Sequence, residues 1–226
     1  HGYLVLAGFR LDPFPIWTYA IEDFEIEKRL FMVHGSNATV CRWSISKGSA
    51  DQASLVLKPL LSFVDYHSLQ HQSQEIAFSY RLTEKTVSVT ANGQMPSLHI
   101  HHNGAEIEDT GHWYNAFAYS IEEERGFDFT EDLYQPFSMK FNLSNGPATL
   151  MASTDDTAEM DYTVLESSVI ERRQTLIDKA GAKSDFEKEL ALAADQFIVA
   201  RGSGETVIAG YPWFSDWGRD TMIALP

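Results

Sequence analysis

Short apolar segments separated by turn residues repeat through the first 155 residues, and no long helical pattern interrupts them. Val87 and Val89 alternate with Ser88 and Thr90, which is the period of a half-buried strand. About ten short strands at this spacing predict a large antiparallel β-sandwich over residues 1–155. Because no long helix separates the strands, a parallel α/β sheet is disfavoured. The strand-like segments lie at residues 2–9, 16–21, 26–33, 39–45, 54–58, 77–82, 86–90, 97–101, 113–119, 138–143 and 149–152.

Beyond the predicted sandwich, the pattern becomes helical. Residues 161–179 predict one helix, and Ser184 with Glu187 forms a capping-box pattern at the start of another. The apolar side chains of the second segment fall on one helical face, and we expect Gly202 to end that helix. The sequence therefore predicts a mainly β chain in which a helical linker, residues 156–204, follows the sandwich.

Acidic side chains outnumber basic ones by 32 to 17, which gives a formal net charge of −15. This charge disfavours nucleic acid and anionic membrane surfaces as partners and suits a neutral ligand. No apolar run reaches the ~18 residues of a membrane span. The single cysteine, Cys41, lies in an apolar alternating run, which favours a small buried residue over a nucleophile. One cysteine also suits a reducing compartment, so we expect a cytoplasmic protein.

Two groups of histidines could suggest a metal site. On a strand, His99 and His101 would share one face, an arrangement that zinc can use. No cysteine or carboxylate follows within the next few residues, so an exposed strand face is the preferred interpretation. His67 and His71 are four residues apart in a loop-like stretch, which favours contacts with sugar hydroxyls over a metal. We expect neither a metal nor another cofactor.

The densest acidic cluster lies at residues 122–132. Paired carboxylates can act as general acid and general base, but a run of charges is more commonly a solvated face. Trp113, Tyr114, Phe127 and Tyr134 lie close to the cluster in sequence. These aromatic side chains favour a loop that faces a partner domain.

The last stretch combines aromatic rings with charged side chains and reads Ala209-Gly-Tyr-Pro-Trp-Phe-Ser-Asp-Trp-Gly-Arg-Asp-Thr-Met-Ile-Ala-Leu-Pro226. Residues 221–225 predict the first turns of a helix, with Ser215 or Asp216 as its N-cap. Aromatic faces stack on the apolar faces of sugar rings, and Asp and Arg side chains beside them bind vicinal hydroxyls through charge-assisted hydrogen bonds. The stretch therefore predicts a sugar-binding site rather than an ordinary buried helix start. Because the chain starts at a histidine and stops inside this helical pattern, we expect it to be part of a longer protein.

This final stretch resembles the beginning of the catalytic domain in glycogen debranching enzymes of the bacterial and archaeal type, which are amylo-α-1,6-glucosidases. Further segments, spread over nearly the whole chain, are similar to the N-terminal region of the same family. They are Phe9-Arg-Leu-Asp-Pro-Phe-Pro15, Glu27-Lys-Arg-Leu-Phe-Met-Val-His34, Lys58-Pro-Leu-Leu-Ser-Phe-Val-Asp-Tyr-His67, Glu124-Arg-Gly-Phe-Asp128, Glu131-Asp-Leu133 and Ala193-Ala-Asp-Gln-Phe-Ile-Val199.

The resemblance implies a supersandwich of the glucoamylase and galactose-mutarotase type, a helical linker, and an (α/α)6 barrel that begins within residues 205–226. The barrel is expected to hydrolyse the α-1,6-linked branch glucose of glycogen or limit dextrin with inversion. Inverting enzymes use two carboxyl groups ~6.5–9.5 Å apart, one as general acid and one as general base. The implied partners are glycogen or another branched α-glucan, and the catalytic domain that belongs to the same chain.

By similarity to glucoamylase-like sites, Trp217, Arg219 and Asp220 are expected to bind the non-reducing glucose, and Trp213 is expected to be a further substrate-binding residue. Asp220 is also a candidate general acid, although the role of sugar ligand is preferred. Both catalytic carboxylates are then expected beyond Pro226, and the chain by itself is expected to be inactive. Two alternatives stay open. One is a non-catalytic sandwich that binds carbohydrate or forms an interface, and the other is a related glucoamylase or inverting phosphorylase.

Overall fold

The structure is a computed structural model that describes residues 2–49, 53–65, 67–73, 76–91, 95–156, 161–210 and 214–224. The chain divides into two compact units, residues 1–165 and 166–226. In the described part of the first unit the strands are β1 (Leu6–Leu11), β2 (Pro15–Ile21), β3 (Phe24–Met32), β4 (Ala38–Lys47), β5 (Ser54–Leu57), β6 (Phe78–Leu82), β7 (Thr86–Ala91), β8 (Leu98–His102), β9 (Glu106–Ala118), β10 (Thr130–Asn142) and β11 (Ala148–Ser153). Helix α1 (Ser120–Glu124) connects β9 to β10, and 3-10 turns lie at Gly2–Val5 and Leu143–Asn145.

Two antiparallel sheets form the first unit. The larger has eight strands in the order β1-β2-β3-β4-β11-β8-β7-β6, and the smaller has three in the order β5-β10-β9. The face of the larger sheet that packs on the smaller one is its inner face. Val89 and Ile100 from the larger sheet and Phe137 and Met139 from the smaller one are buried in the core between them. The prediction of a mainly β chain with a large antiparallel sandwich is therefore confirmed.

The outer face of the larger sheet holds a second group of buried aromatic side chains. Phe14 stacks on Phe31 with ring centroids 4.8 Å apart, and Phe31 meets the edge of Tyr162 at 5.7 Å. The guanidinium of Arg42 lies 4.2 Å from the centre of the Tyr162 ring. Such aromatic pairs contribute about 0.5–1.5 kcal/mol each beyond the burial of their surface. The middle of the larger sheet is thus covered on both faces.

The β9–β10 hairpin is longer than the sequence predicted, since each strand has 13 residues. Near its tip the carboxylate of Asp132 accepts hydrogen bonds from the backbone N–H groups of Gln72 and Ala116, each at 2.8 Å. These donors lower the pKa of Asp132 because they stabilise its charged form. Ala116 has a φ of 59°, which is uncommon for a residue with a side chain. The carboxylate thus fixes both the hairpin bulge and the loop that precedes β6.

The second unit contains helices and a small sheet. Helix α2 (Tyr162–Ala180) begins in the first unit, and α3 (Asp185–Asp195) follows it. The described strands of this unit are β12 (Ile198–Arg201), β13 (Gly204–Gly210) and β14 (Phe214–Asp216), and helix α4 (Gly218–Ala224) follows them. No helix within the described residues is long and apolar enough to span a lipid bilayer.

The predicted helix start at Ser184 is confirmed. The Ser184 hydroxyl accepts the N–H of Glu187 at 3.2 Å, and the Glu187 carboxylate accepts the N–H of Ser184 at 2.8 Å. The predicted end of this helix at Gly202 is wrong. The helix ends at Asp195, and Gly202, at a φ of 57°, lies in the turn between β12 and β13. A three-stranded sheet can form here because the short segment after Asp195 pairs with β13.

Candidate functional site

The predicted sugar-binding residues lie where the small sheet passes into helix α4. Strand β14 ends at Asp216, and α4 begins at Gly218. The N–H of Thr221 donates to the carbonyl oxygen of Trp217 at 3.0 Å, which is the first bond of the helix. Trp217 therefore occupies the N-cap position. The prediction of Ser215 or Asp216 as the cap is wrong, because both belong to β14.

Three of the four predicted sugar ligands lie within one turn of this helix start. The side chain of Arg219 is 80% exposed and that of Asp220 is 37% exposed, with Arg219 Nε 4.0 Å from Asp220 Oδ2. Trp217 is 57% exposed. Trp213, the fourth, lies outside the described residues. An indole ring, a guanidinium and a carboxylate that are all accessible to solvent can together contact both the ring face and the hydroxyls of a sugar.

Asp216 anchors the strand that leads into this site. Its carboxylate forms an ion pair with Arg201 of β12 and accepts a hydrogen bond from the hydroxyl of Thr206 in β13 at 3.4 Å. The Asp216 side chain is 21% exposed and that of Arg201 is 65% exposed. All three strands of the small sheet are thus joined through one carboxylate.

Thr221 fixes the first turn of α4 to the same sheet. Its hydroxyl lies 3.2 Å from the hydroxyl of Thr206 and donates to the carbonyl oxygen of Trp217 at 3.1 Å. The N–H of Val207 donates to the Thr221 hydroxyl at 3.4 Å. Sequence reasoning did not identify these supporting residues. Thr221 lies within the final stretch, but its partners are known only once the pairing of β13 is known.

The histidines of β8 are buried, so the prediction of an exposed strand face is wrong. His99 and His101 are 8% and 7% exposed, and the neighbouring strand β7 supplies hydroxyl partners for both. Ser88 Oγ lies 2.9 Å from His99 Nδ1, and Thr86 Oγ1 lies 2.9 Å from His101 Nδ1. Burial lowers the pKa of His101, because a charged ring would lose its hydration.

His99 also contacts a carboxylate, since Asp156 Oδ1 lies 3.3 Å from its Nδ1. An open polar cavity of about 430 Å³ adjoins this pair and is lined by Arg81, His99 and Asp156 among others. A catalytic Ser-His-Asp triad needs the hydroxyl and the carboxylate on different ring nitrogens. Ser88 and Asp156 share Nδ1 here, so the cluster is not a triad.

The second pair of histidines does not form a ligand cluster. His71 Nε2 lies 3.2 Å from Asp128 Oδ2, a contact that lowers the pKa of Asp128, and the N–H of His67 donates to Asp65. Among the described residues, no group of three or more His, Cys, Asp or Glu side chains could hold a metal ion. Cys41 is a half-buried free thiol whose pKa is raised by burial.

The acidic cluster at 122–132 divides into two parts. Glu123 and Glu124 lie on helix α1 and are exposed, as predicted for a solvated face. Glu131 is 7% exposed and accepts a 2.6 Å hydrogen bond from the hydroxyl of Tyr119. The exposed-face interpretation is therefore wrong for Glu131.

Trp113 and Tyr114, which lie close to the acidic cluster in sequence, also differ from each other. The ring of Trp113 packs on Phe78 and Tyr134 with centroids 5.8 and 5.1 Å away, whereas Tyr114 is 36% exposed. Trp113 thus belongs to an aromatic cluster and leaves Tyr114 as the more accessible of the two rings.

The first 169 residues of the chain match the family described as "Glycogen debranching enzyme N terminal". The chain belongs to the glycogen debranching enzyme family. Residues 192–226, which include the exposed Trp217, Arg219 and Asp220, match a second family description, "Amylo-alpha-1,6-glucosidase". The family resemblance read from the sequence is confirmed.

No curated protein sequence matches this glycogen debranching enzyme chain significantly. Among solved structures, a bacterial glucoamylase complexed with acarbose aligns with 79% of the chain at 10% sequence identity and a TM-score of 0.41. The aligned region covers 29% of the glucoamylase, so the chain spans less than a third of the length of that protein.

Proposed function

We propose that this chain forms the sandwich, the linker and the beginning of the catalytic domain of an amylo-α-1,6-glucosidase. The enzyme would hydrolyse the α-1,6-linked branch glucose of glycogen or limit dextrin. The observation that carries the proposal is the match of residues 192–226 to the Amylo-alpha-1,6-glucosidase family. The same segment exposes Trp217, Arg219 and Asp220 to solvent, where they can bind a sugar. In this proposal the three side chains bind the terminal glucose of the branch, with Trp213 as a fourth ligand.

The proposed domains are a sandwich at 1–155, a helical linker at 156–204, and the beginning of an (α/α)6 barrel at 205–226. The element bounds support the boundary at residue 155, whereas the pairing of β12 with β13 spans the boundary at residue 204. Strand β11 ends at Ser153, and α2 and α3 lie within the linker. Helix α4 would then be the first helix of the barrel.

The proposed reaction inverts the configuration of the anomeric carbon. One carboxylic acid protonates the leaving oxygen while a second carboxylate, ~6.5–9.5 Å away, removes a proton from the attacking water. A general acid needs surroundings that keep it protonated, such as an apolar pocket. Asp220 is partly exposed and lies beside the Arg219 guanidinium, which suits a charged acceptor for sugar hydroxyls better. We therefore assign Asp220 as a sugar ligand and place both catalytic carboxyl groups in the remainder of the catalytic domain.

A test of this placement is the release of glucose from a branched limit dextrin, measured with a coupled hexokinase assay. The purified 226-residue chain is expected to release none, and an enzyme with a complete catalytic domain is expected to release glucose. Measurable turnover by the purified chain would show that the catalytic pair lies within it.

The role of Asp220 is tested by Asp220→Asn in the enzyme with a complete catalytic domain. Loss of one charge-assisted hydrogen bond of about 1.5–3 kcal/mol corresponds to a roughly 10- to 100-fold fall in kcat/KM. If Asp220 is a sugar ligand, the variant is expected to show a higher KM and a lower kcat. The matched control is Glu205→Gln, because Glu205 is an exposed carboxylate in β13. A loss confined to kcat would instead assign Asp220 as the general acid. The cytoplasmic location and the lack of nucleic-acid and membrane partners stay predictions from composition.

A further inference from the structure

A row of three aromatic rings and one ammonium group crosses four neighbouring strands of the larger sheet. The strand register pairs Phe9 with Trp17, Trp17 with Lys28 and Lys28 with Trp43. Directly paired residues lie on the same face of a sheet, so the four side chains form one line from β1 to β4. Adjacent strands are about 4.8 Å apart, which makes this aromatic row about 14 Å long.

Contacts within the aromatic row hold its members in place. The rings of Phe9 and Trp17 are 5.3 Å apart at their centroids with an interplanar angle of 53°. The ammonium of Lys28 lies 5.2 Å from the centre of the Trp17 ring and 5.9 Å from that of Trp43. Side chains that are already ordered lose little entropy when a ligand binds. The row is therefore a preorganised surface rather than a set of separate exposed rings.

One end of the aromatic row packs against the hydrophobic core, and the other end is exposed to solvent. Trp43 packs against the core cluster on the inner face, whereas Phe9 is 56% exposed and Trp17 is half-buried. Among the described residues, β1 contributes no member to that core cluster. The accessible part of the row thus lies at Phe9 of β1 and Trp17 of β2.

The charge of this surface restricts what can occupy it. Lys28 is the one charged member of the row, while the neighbouring carboxylates Glu25 and Glu27 of the described strand β3 alternate to the opposite face. A protein partner that covered the row would bury the Lys28 ammonium, and a buried charge without a counter-charge is costly. A sugar chain instead offers apolar ring faces to the aromatic side chains and hydroxyl oxygens to the three N–H donors of Lys28.

We propose that the aromatic row is a second α-glucan-binding site, separate from the site at Trp217. The choice of an α-glucan rests on the proposed function, whereas the existence of a neutral-ligand site rests on the rings and on Lys28. The row would bind a linear outer branch of the polymer through contacts of glucose units with the accessible parts of Phe9 and Trp17, while the Lys28 ammonium donates to sugar hydroxyls. It would hold the substrate on the sandwich.

The test measures binding of maltoheptaose to the 226-residue chain by isothermal titration calorimetry. Trp17→Ala is expected to weaken binding at least 10-fold, and Phe9→Ala, at an exposed position of an edge strand, to weaken it about 3-fold or more. Phe127→Ala is the matched control, because Phe127 is similarly exposed at 64% but lies on the β9–β10 hairpin. Its affinity is expected to equal that of the unmodified chain.

Other outcomes of the same experiment would overturn the proposal. If Trp217→Ala abolishes maltoheptaose binding while Trp17→Ala and Phe9→Ala leave it unchanged, the row is not a glucan site but the proposed function stands. If the chain binds no maltoheptaose but self-associates in light scattering, and Trp17→Ala prevents this, the row is a protein interface. If Trp17→Ala and Phe9→Ala weaken maltoheptaose binding as expected, but an enzyme with a complete catalytic domain releases no glucose from limit dextrin, the proposed function is wrong. The assignment of the aromatic row as a glucan-binding site then still holds.

Discussion

Replacement of Ala116 by glycine is expected to stabilise the protein, although glycine normally weakens a strand. Ala116 lies in the left-handed region at a φ of 59°, where its N–H donates to Asp132 at 2.8 Å. A side chain in this conformation costs about 1–2 kcal/mol relative to glycine. The greater freedom of glycine in the unfolded chain offsets about 0.4–1 kcal/mol of that gain. The net effect of Ala116→Gly is therefore an increase in the free energy of unfolding of up to about 1.6 kcal/mol, with a central value of about 0.8 kcal/mol.

Ala118→Gly provides the matched control in the same hairpin. Ala118 is also exposed, but it pairs with Thr130 in the ladder and does not have a positive φ. Glycine at such a strand position is expected to lower the free energy of unfolding by about 0.5–1 kcal/mol. Two alanine-to-glycine substitutions, two residues apart, should thus change the free energy of unfolding in opposite directions.

Urea unfolding and thermal melts of the two variants and the parent chain at one pH would measure this difference. For a chain of this size about 1 kcal/mol corresponds to roughly 2–4 °C in Tm. We expect Ala116→Gly to melt above the parent and Ala118→Gly below it. A decrease in stability of similar size in both variants would refute the reasoning, because it would mean that the conformation of Ala116 carries no strain.

Two further predictions concern a buried histidine and the contact between two helices. Burial lowers the pKa of His102, whose Nδ1 accepts the N–H groups of Gly104 and Ala105 at 3.3 and 3.0 Å. As pH falls from about 7 to 5, His102 takes up a proton in the unfolded chain before it does so in the folded protein, so the free energy of unfolding decreases. His102→Asn, which keeps a hydrogen-bond acceptor, should therefore reduce the fall in Tm over that range. Arg172 of α2 donates two hydrogen bonds to Asp195 of α3, at 2.7 and 2.9 Å. Arg172→Met is expected to weaken this contact by about 1 kcal/mol and thereby to speed amide hydrogen exchange in α3. Arg173→Met is the control. Equal pH dependence of His102→Asn and the parent, or equal exchange in the two arginine variants, would contradict these expectations.

The sequence predicted the sandwich because its strands carry a clear alternation, but it did not predict the length of the central hairpin. The polar run at the start of β9 and the acidic run at the start of β10 hide the pattern of a strand. Hydrogen bonds from polar side chains support the two strands at their bulges. The N–H of Ala116 donates to Asp132 at 2.8 Å. Gln135 Nε2 donates to the hydroxyl of Thr110 at 2.9 Å and to the carbonyl oxygen of Phe137 at 3.4 Å. The bonds of Ala116 and Thr110 join residues far apart in sequence and leave no local signal.

The closeness of the candidate residues was predictable from the sequence, but the contacts that support them were not. Trp217, Arg219 and Asp220 are near neighbours in the chain and lie around one helix start, and their role as sugar ligands stays a prediction. The N-cap prediction failed because Asp216 pairs with Arg201, which only the order of β12, β13 and β14 brings close. The histidines of β8 were misread for the same reason, since their hydroxyl partners belong to a neighbouring strand.

Strand β1 forms an edge of the larger sheet, beside the exposed ring of Phe9. An open edge with apolar side chains invites strands of other molecules to add to it. The ladder of β1 with β2 is interrupted between Leu6 and Gly8, and Arg10 of β1 forms a 2.8 Å ion pair with Glu27. An irregular register and a charge both discourage the addition of another strand. The sandwich can therefore present aromatic rings at its rim while its backbone resists growth into an extended intermolecular sheet.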